Sequence, residues 1–283
     1  MGSSFLITLR EGLEASLILA ILLTYLKKTD RWADARYVWT GTFAAIGICL
    51  VAGIGIFLAL DGLNGKVKYA TEGFIALFAM AVLTHMIFWM RTHARTLGAD
   101  LRAKVDRSVA GALAIIAFGA VVREGLETVL FLLSAETESA SGTDVVIGGV
   151  IGLALSVVIG YVVYRSGNRV NLKTFFNVTA VLLLLFAAGL AGKAVHELRE
   201  FIGWENGWLV QPMWTIDGGM WASGTFYDFM RGLFGWHAQP ENIRVFAYFA
   251  YLVPVLALYL RSGSSPKVTA PVTTKSRETA QVA

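Results

Sequence analysis

The chain has 283 residues, 56% hydrophobic and 16% charged, with a formal net charge of +4 and a mean hydropathy of +0.62. That balance excludes an ordinary soluble globular domain and describes a polytopic membrane protein. A single cysteine, Cys49 in an apolar segment, excludes a disulfide framework and a cysteine-based metal cluster. The start MGSSFLITLRE lacks a basic leading region and carries charge where a signal peptide needs an unbroken apolar run, so the first helix is expected to stay in the mature protein.

Stretches near the ~20 residues that cross a bilayer recur along the chain. The first, about 3–25, contains Arg10-Glu11-Gly12-Leu13-Glu14. The second covers about 38–60, and the third, about 72–90, opens on Glu72 and holds His85. The fourth, about 108–135, repeats the same five letters as Arg123-Glu124-Gly125-Leu126-Glu127. The fifth covers about 145–164, and the sixth, about 175–195, runs into His196-Glu197-Leu198-Arg199-Glu200. An outer loop of about 197–243 carries five of the eight tryptophans, Trp204, Trp208, Trp214, Trp221 and Trp236, and reads as a structured cap at headgroup level. The seventh, about 245–260, contains Pro254 and is framed by Arg244 and Arg261. A tail of 263–283, rich in Ser, Thr, Pro and Lys, is expected to be disordered beyond a transmembrane domain of 1–262.

Basic residues orient these segments, because Lys and Arg at helix ends are retained on the cytoplasmic side. Sixteen fall in the first, third and fifth connections and the tail, against five (Lys66, Lys68, Arg199, Arg231, Arg244) on the other side. The expected fold is therefore an all-α polytopic membrane protein of seven transmembrane helices, N-out and C-in. Acidic residues gather on the outer face, which would concentrate cations there. The basic inner loops suit anionic lipid headgroups and not nucleic acid.

Offsetting the chain by 113 residues superposes the two motif segments, with six of ten positions identical between Thr8–Leu17 and Val121–Leu130. Three spans separate the copies, so one motif helix runs inward and the other outward. This is the pattern of an inverted 3+3 repeat, about 3–90 and about 108–200, followed by one C-terminal helix. His85 and His196 add an echo at an offset of 111. Spans two and five give no convincing alignment.

Within each motif the two glutamates are three residues apart and share a helix face, while the arginine reaches the second at i,i+4. If the two helices cross, four carboxylates and two arginines converge at mid-membrane, leaving two negative charges for a metal cation or for protons. Carboxylate oxygens are hard ligands suited to iron, manganese, magnesium or calcium. Gly12 and Gly125 remove a side chain, either for close helix packing or for ligand access. A structural Arg–Glu clamp between the two helices is the alternative.

Two such helices in a seven-span, N-out chain resemble the oxidase-coupled high-affinity iron permeases, the fungal ferric permeases and their bacterial EfeU-type relatives. The resemblance covers the chain to about residue 262. It implies iron import across a bacterial cytoplasmic (inner) membrane, with Glu11, Glu14, Glu124 and Glu127 as iron ligands along the path and Arg10 and Arg123 as their counter-ions. Iron is then the transported substrate, and no tightly bound cofactor is expected. The implied partners are a periplasmic iron-binding or oxidising protein and a haem peroxidase, and a homo-oligomer stays open. Glu72, His196, Glu197 and Glu200 are secondary metal candidates at the outer entrance. Competing readings are transport of another divalent ion, such as lead or manganese, and an intramembrane metalloenzyme holding its metal on paired carboxylates.

Overall fold

The computed structural model describes residues 1–93, 103, 105, 110–138, 142–166 and 172–261. The tail 263–283, and several basic residues used for orientation (Arg95, Arg102, Lys104, Arg107, Arg169), lie outside the described residues. Among the described residues eight α-helices follow in order: α1 Gly2–Lys28, α2 Ala35–Asp61, α3 Lys66–His93, α4 Ala110–Glu138, α5 Gly142–Ser166, α6 Leu172–Ile202, α7 Thr225–Phe234 and α8 Asn242–Arg261. Among the described residues there is no strand beyond an isolated bridge between Pro212 and Glu241.

Among the described residues five segments are long and apolar enough to cross a membrane: Trp32–Asp61, Lys66–Thr92, Gly142–Val162, Phe176–Ile202 and Asn242–Arg261. The two motif helices, α1 with 27 residues and α4 with 29, fall outside that group. Their length is sufficient at about 40 Å of helix. What sets them apart is an Arg-Glu-x-x-Glu run in each, a cost that the packing around it must offset.

Sequence neighbours are not the main packing partners. α1 lies along α5, α2 along α4 and α3 along α6, while α1 crosses α4 and α8 covers α6. Small residues permit the close approaches. On α5, Gly148, Gly152, Ser156 and Gly160 recur every fourth residue, a stripe that lets helix backbones meet. A Cβ on Gly148 would strike the Met1 carbonyl and on Gly152 the Phe5 carbonyl; Ser156 Cβ lies 2.9 Å from a Cβ built on Gly12, and Ser16 Cβ 2.5 Å from one on Gly160. These contacts advance together, so α1 and α5 are parallel.

The α2–α4 pair repeats them. A Cβ on Gly41 would strike the Ala114 carbonyl, one on Gly125 would lie 2.5 Å from Cys49 Sγ, and one on Gly53 would lie 3.2 Å from Val129 Cγ2. Adding 113 to α1 positions and subtracting 107 from α5 positions converts Met1–Gly148 into Ala114–Gly41, Gly12–Ser156 into Gly125–Cys49, and Ser16–Gly160 into Val129–Gly53. The register that spans two and five lacked in the sequence is thus carried by which residues touch.

The contacts separate two glycines of one helix. At Gly41 a Cβ meets backbone, with Ala114 C at 2.9 Å, whereas nothing lies within 4 Å of one built at Gly47. Gly47→Ala is expected to hold or raise the melting temperature of the detergent-solubilised protein, since alanine gains about 0.5–1 kcal/mol over glycine in a helix. Gly41→Ala is expected to lower it, with overpacking costing roughly 1–3 kcal/mol. Equal shifts would contradict the α2–α4 contact.

Two apolar clusters fill the interior. One joins Ala79, Leu83 and Met86 of α3 to Phe131 of α4, Leu183 and Phe186 of α6 and Tyr259 of α8; the other joins Ile18, Leu22 and Leu26 of α1 to Val38 of α2 and Leu113 of α4. Within the tryptophan-rich segment the rings contact one another, and α6 runs to Ile202, beyond the expected loop start at 197. Trp214 stacks on Trp236 at 5.4 Å, Trp221 meets Trp236 edge-on at 5.5 Å, and the Trp236 indole donates to the Trp221 carbonyl at 3.0 Å. Gly235 ends α7 in the left-handed region at φ +66, its Cα 3.0 Å from a Cβ built on Gly189. Only glycine satisfies both that turn and that approach.

Candidate metal centre

The motif helices meet through their acids. On α1, Arg10, Glu11 and Glu14 are 1%, 1% and 6% exposed, and on α4 Glu124 is 5% exposed. Oxygens of Glu11, Glu14 and Glu124 lie within 4.8 Å of one another. Arg10 sits beside them, Nε 3.2 Å from Glu14 Oε1 and Nη1 3.8 Å from Glu11 Oε1. Both Glu11 oxygens, Glu14 Oε1 and Glu124 Oε2 are buried without a hydrogen-bond partner.

Two like charges 4.8 Å apart repel by about 3.5 kcal/mol at an effective dielectric of ~20. One guanidinium cannot balance three such acids. The three carboxylates are thus a group of hard oxygen ligands that could hold a hard cation, or take up protons in its place.

The fourth acid is held differently. Arg123 Nε donates to Glu127 Oε1 at 3.0 Å, with side-chain exposures of 41% and 14%, and the Arg123 guanidinium lies 4.6 Å from the Trp89 ring centroid of α3. Glu127 is within electrostatic reach of Glu11, Glu14 and Glu124, so it stands at the rim of the triad. The two motifs, alike in letters, are unequal in burial: Arg10 is sealed in and Arg123 opens outward. Gly12 and Gly125 face α5 and α2, which makes them packing residues and not ligand-access gaps.

The secondary candidates divide. Glu72 lies 3.8 Å from Lys68 Nζ and 3.6 Å from Lys193 Nζ, the latter ammonium buried in α6. Lys193 was legible as a charge within the sixth apolar segment, yet it entered neither the site nor the charge balance drawn from the sequence. His196 and Glu200 form a group with Glu241, which lies across the cap and was missed because no local spacing links it to them. His196 Nδ1 is 3.2 Å from both Glu241 oxygens, Arg199 Nη2 is 3.0 Å from Glu241 Oε1, and Arg199 also pairs with Glu200. Glu197 is separate from this group: its Cβ packs 3.2 Å from a Cβ built on Gly73 of α3. His85 is exposed on α3, so the echo with His196 is one of spacing and not of environment.

The profile of the Iron permease FTR1 family matches residues 1–261, both motif helices included. The chain belongs to that family. Its relatives include the ferrous iron permease EfeU of Escherichia coli O6:K15:H31 (strain 536), 36% identical over 262 residues that cover 90% of this permease and 94% of the relative. The ferrous iron permease EfeU of Shigella sonnei is 36% identical over 261 residues, 90% and 94% of the two chains, and that of Yersinia pestis is 34% identical over 261 residues, 90% and 92%. No solved structure matches this permease.

Proposed function

We propose that this permease imports iron, as Fe(II), across a bacterial cytoplasmic membrane, binding it on Glu11, Glu14 and Glu124 with Glu127 at the rim. The observation that carries the reading is the triad of carboxylate oxygens within 4.8 Å, buried and largely unpartnered. The ferrous names of the relatives favour that valence. A membrane potential would assist inward movement by about 2.3 kcal/mol per charge per 100 mV.

In this reading α1 to α6 and α8 are the seven spans, N-out and C-in, with α1 to α3 and α4 to α6 as inverted repeats. The interchangeable contacts of α1–α5 and α2–α4 support it. So does their parallel direction, which alternating spans require of the first with the fifth and the second with the fourth. Because each motif helix is seated on a helix of the other repeat, the units that move past one another during transport are the cross-repeat pairs α1/α5 and α2/α4, not two independent halves. A periplasmic iron-binding or oxidising protein and a haem peroxidase complete the proposed uptake system.

The test is uptake of radiolabelled iron into proteoliposomes by wild type and by a Glu14→Gln, Glu124→Gln variant of matched insertion and elution profile. Uptake falling to the protein-free background in the variant is the expected result. Equal uptake would reduce the triad to a helix clamp. Stronger competition by manganese or lead than by unlabelled iron would reassign the cargo.

A further inference from the structure

The cap holds a second polar site, in which guanidinium groups outnumber carboxylates. A cavity of about 240 Å³ lies where the end of α6, α7 and the start of α8 meet, lined among others by His196, Arg231, His237, Glu241 and Arg244. Glu241 is its acid, and both of its oxygens are engaged: Arg199 Nη2 stands 3.0 Å from one and His196 Nδ1 3.2 Å from each. A metal arriving at His196, Glu200 and Glu241 would have to expel a guanidinium.

Two further guanidinium groups, Arg231 and Arg244, line the cavity. Arg231 has no carboxylate within ion-pair distance among the described residues, and its Nε is buried without a hydrogen-bond partner, as is Arg199 Nε beside the cavity. A guanidinium offers a planar fork of donors matched to carboxylate and phosphate oxygens. An unpartnered buried donor of this kind is costly until such a group supplies the acceptor.

We propose that this cavity, where Arg231 and Arg244 line a space whose glutamate is already paired, binds a small oxyanion, carboxylate or phosphate, that accompanies iron to the permease. The inference rests on the import reading for the word iron; the anion site itself does not. Dissolved iron is a hard cation that keeps oxygen ligands, so its complexes present oxyanion groups to whatever receives them. Location fits this role. Phe229 of α7 packs over Gly2 of α1, and Gly232 lies beside Ser3. Glu11 follows Gly2 on the same helix, nine residues or about 13 Å on. The cavity would hold the anion while the metal passes to the carboxylates.

The experiment is isothermal titration of the full chain in nanodiscs with citrate and with inorganic phosphate. Citrate binding is expected, weakened at least tenfold by Arg231→Gln, largely kept by Arg231→Lys, and kept by Glu11→Gln. Arg244→Gln, from another helix of the same wall, is the second variant and is expected to weaken binding as well, so a folding defect in one does not decide the matter. Phosphate binding in preference to citrate would keep the oxyanion site and overturn its link to iron complexes. No binding of either anion by wild type, or wild-type binding by both glutamine variants with unchanged melting curves, overturns the proposal. Absence of iron uptake with citrate binding intact would sink the import reading alone.

Discussion

Arg10→Met is expected to remove most of the folded permease from detergent extracts, at a cost of about 3–5 kcal/mol. Arg10 is 1% exposed and is the guanidinium nearest to Glu11 and Glu14. Without it, three acids within 4.8 Å of one another would keep only the half-exposed Arg123, already paired with Glu127, as a counter-charge, and a buried charge left uncompensated is far more expensive than a missing pair. Adding Glu14→Gln to Arg10→Met should restore much of the folded yield, since it removes one anion with the cation, while leaving transport impaired. Arg123→Met should cost about 1 kcal/mol or less, because an exposed pair contributes little, and the Arg123 side chain is 41% exposed. Fluorescence-detected size exclusion and thermal melting measure all three. Equal effects for the two arginines would contradict the difference in burial between the motifs.

Single substitutions of the acids should rank by position and not by motif. Glu11→Gln, Glu14→Gln and Glu124→Gln each remove an oxygen from the triad, and each is expected to lower iron uptake at limiting concentration by about 10–100-fold, the scale on which metal sites respond to loss of supporting groups. Glu127→Gln should lower it by less than tenfold, since Glu127 is held by Arg123 at 3.0 Å outside the triad. Initial-rate uptake over a range of iron concentrations separates a change in affinity from a change in maximal rate. A symmetric result, with Glu14 and Glu127 equivalent, would favour a four-carboxylate site in which the rim acid moves inward during transport.

Much of this arrangement was legible in the chain. The repeated Arg-Glu-Gly-Leu-Glu run marked the helices that meet, and i,i+4 spacing gave the Arg10–Glu14 and Arg123–Glu127 pairs. The 3+1 division of the acids was not legible, because it depends on what lies across each helix: Arg10 is enclosed, whereas Arg123 stands against Trp89 near the surface. Glu241 escaped because only the fold of the cap brings it to His196. The second and fifth spans failed to align for a different reason. Their likeness lies in side-chain size, with Gly41, Cys49 and Gly53 in the places of Gly148, Ser156 and Gly160; an every-fourth-residue pattern of small residues would have exposed it.

The cross-repeat pairing has a consequence during synthesis. α1 ends at Lys28 and its main partner α5 begins at Gly142, more than 110 residues later. At a translation rate of about 5–20 residues per second, the charged first helix waits roughly 6–20 s before the helix it packs against exists. With α1 as a membrane span, as proposed, Arg10, Glu11 and Glu14 would need shelter from the insertion machinery or from retained water for that interval, and assembly would not proceed hairpin by hairpin. Early termination before α4 would then leave an orphan whose three motif charges lack both partner helices, a species that quality-control proteases can recognise without reading the cap at all.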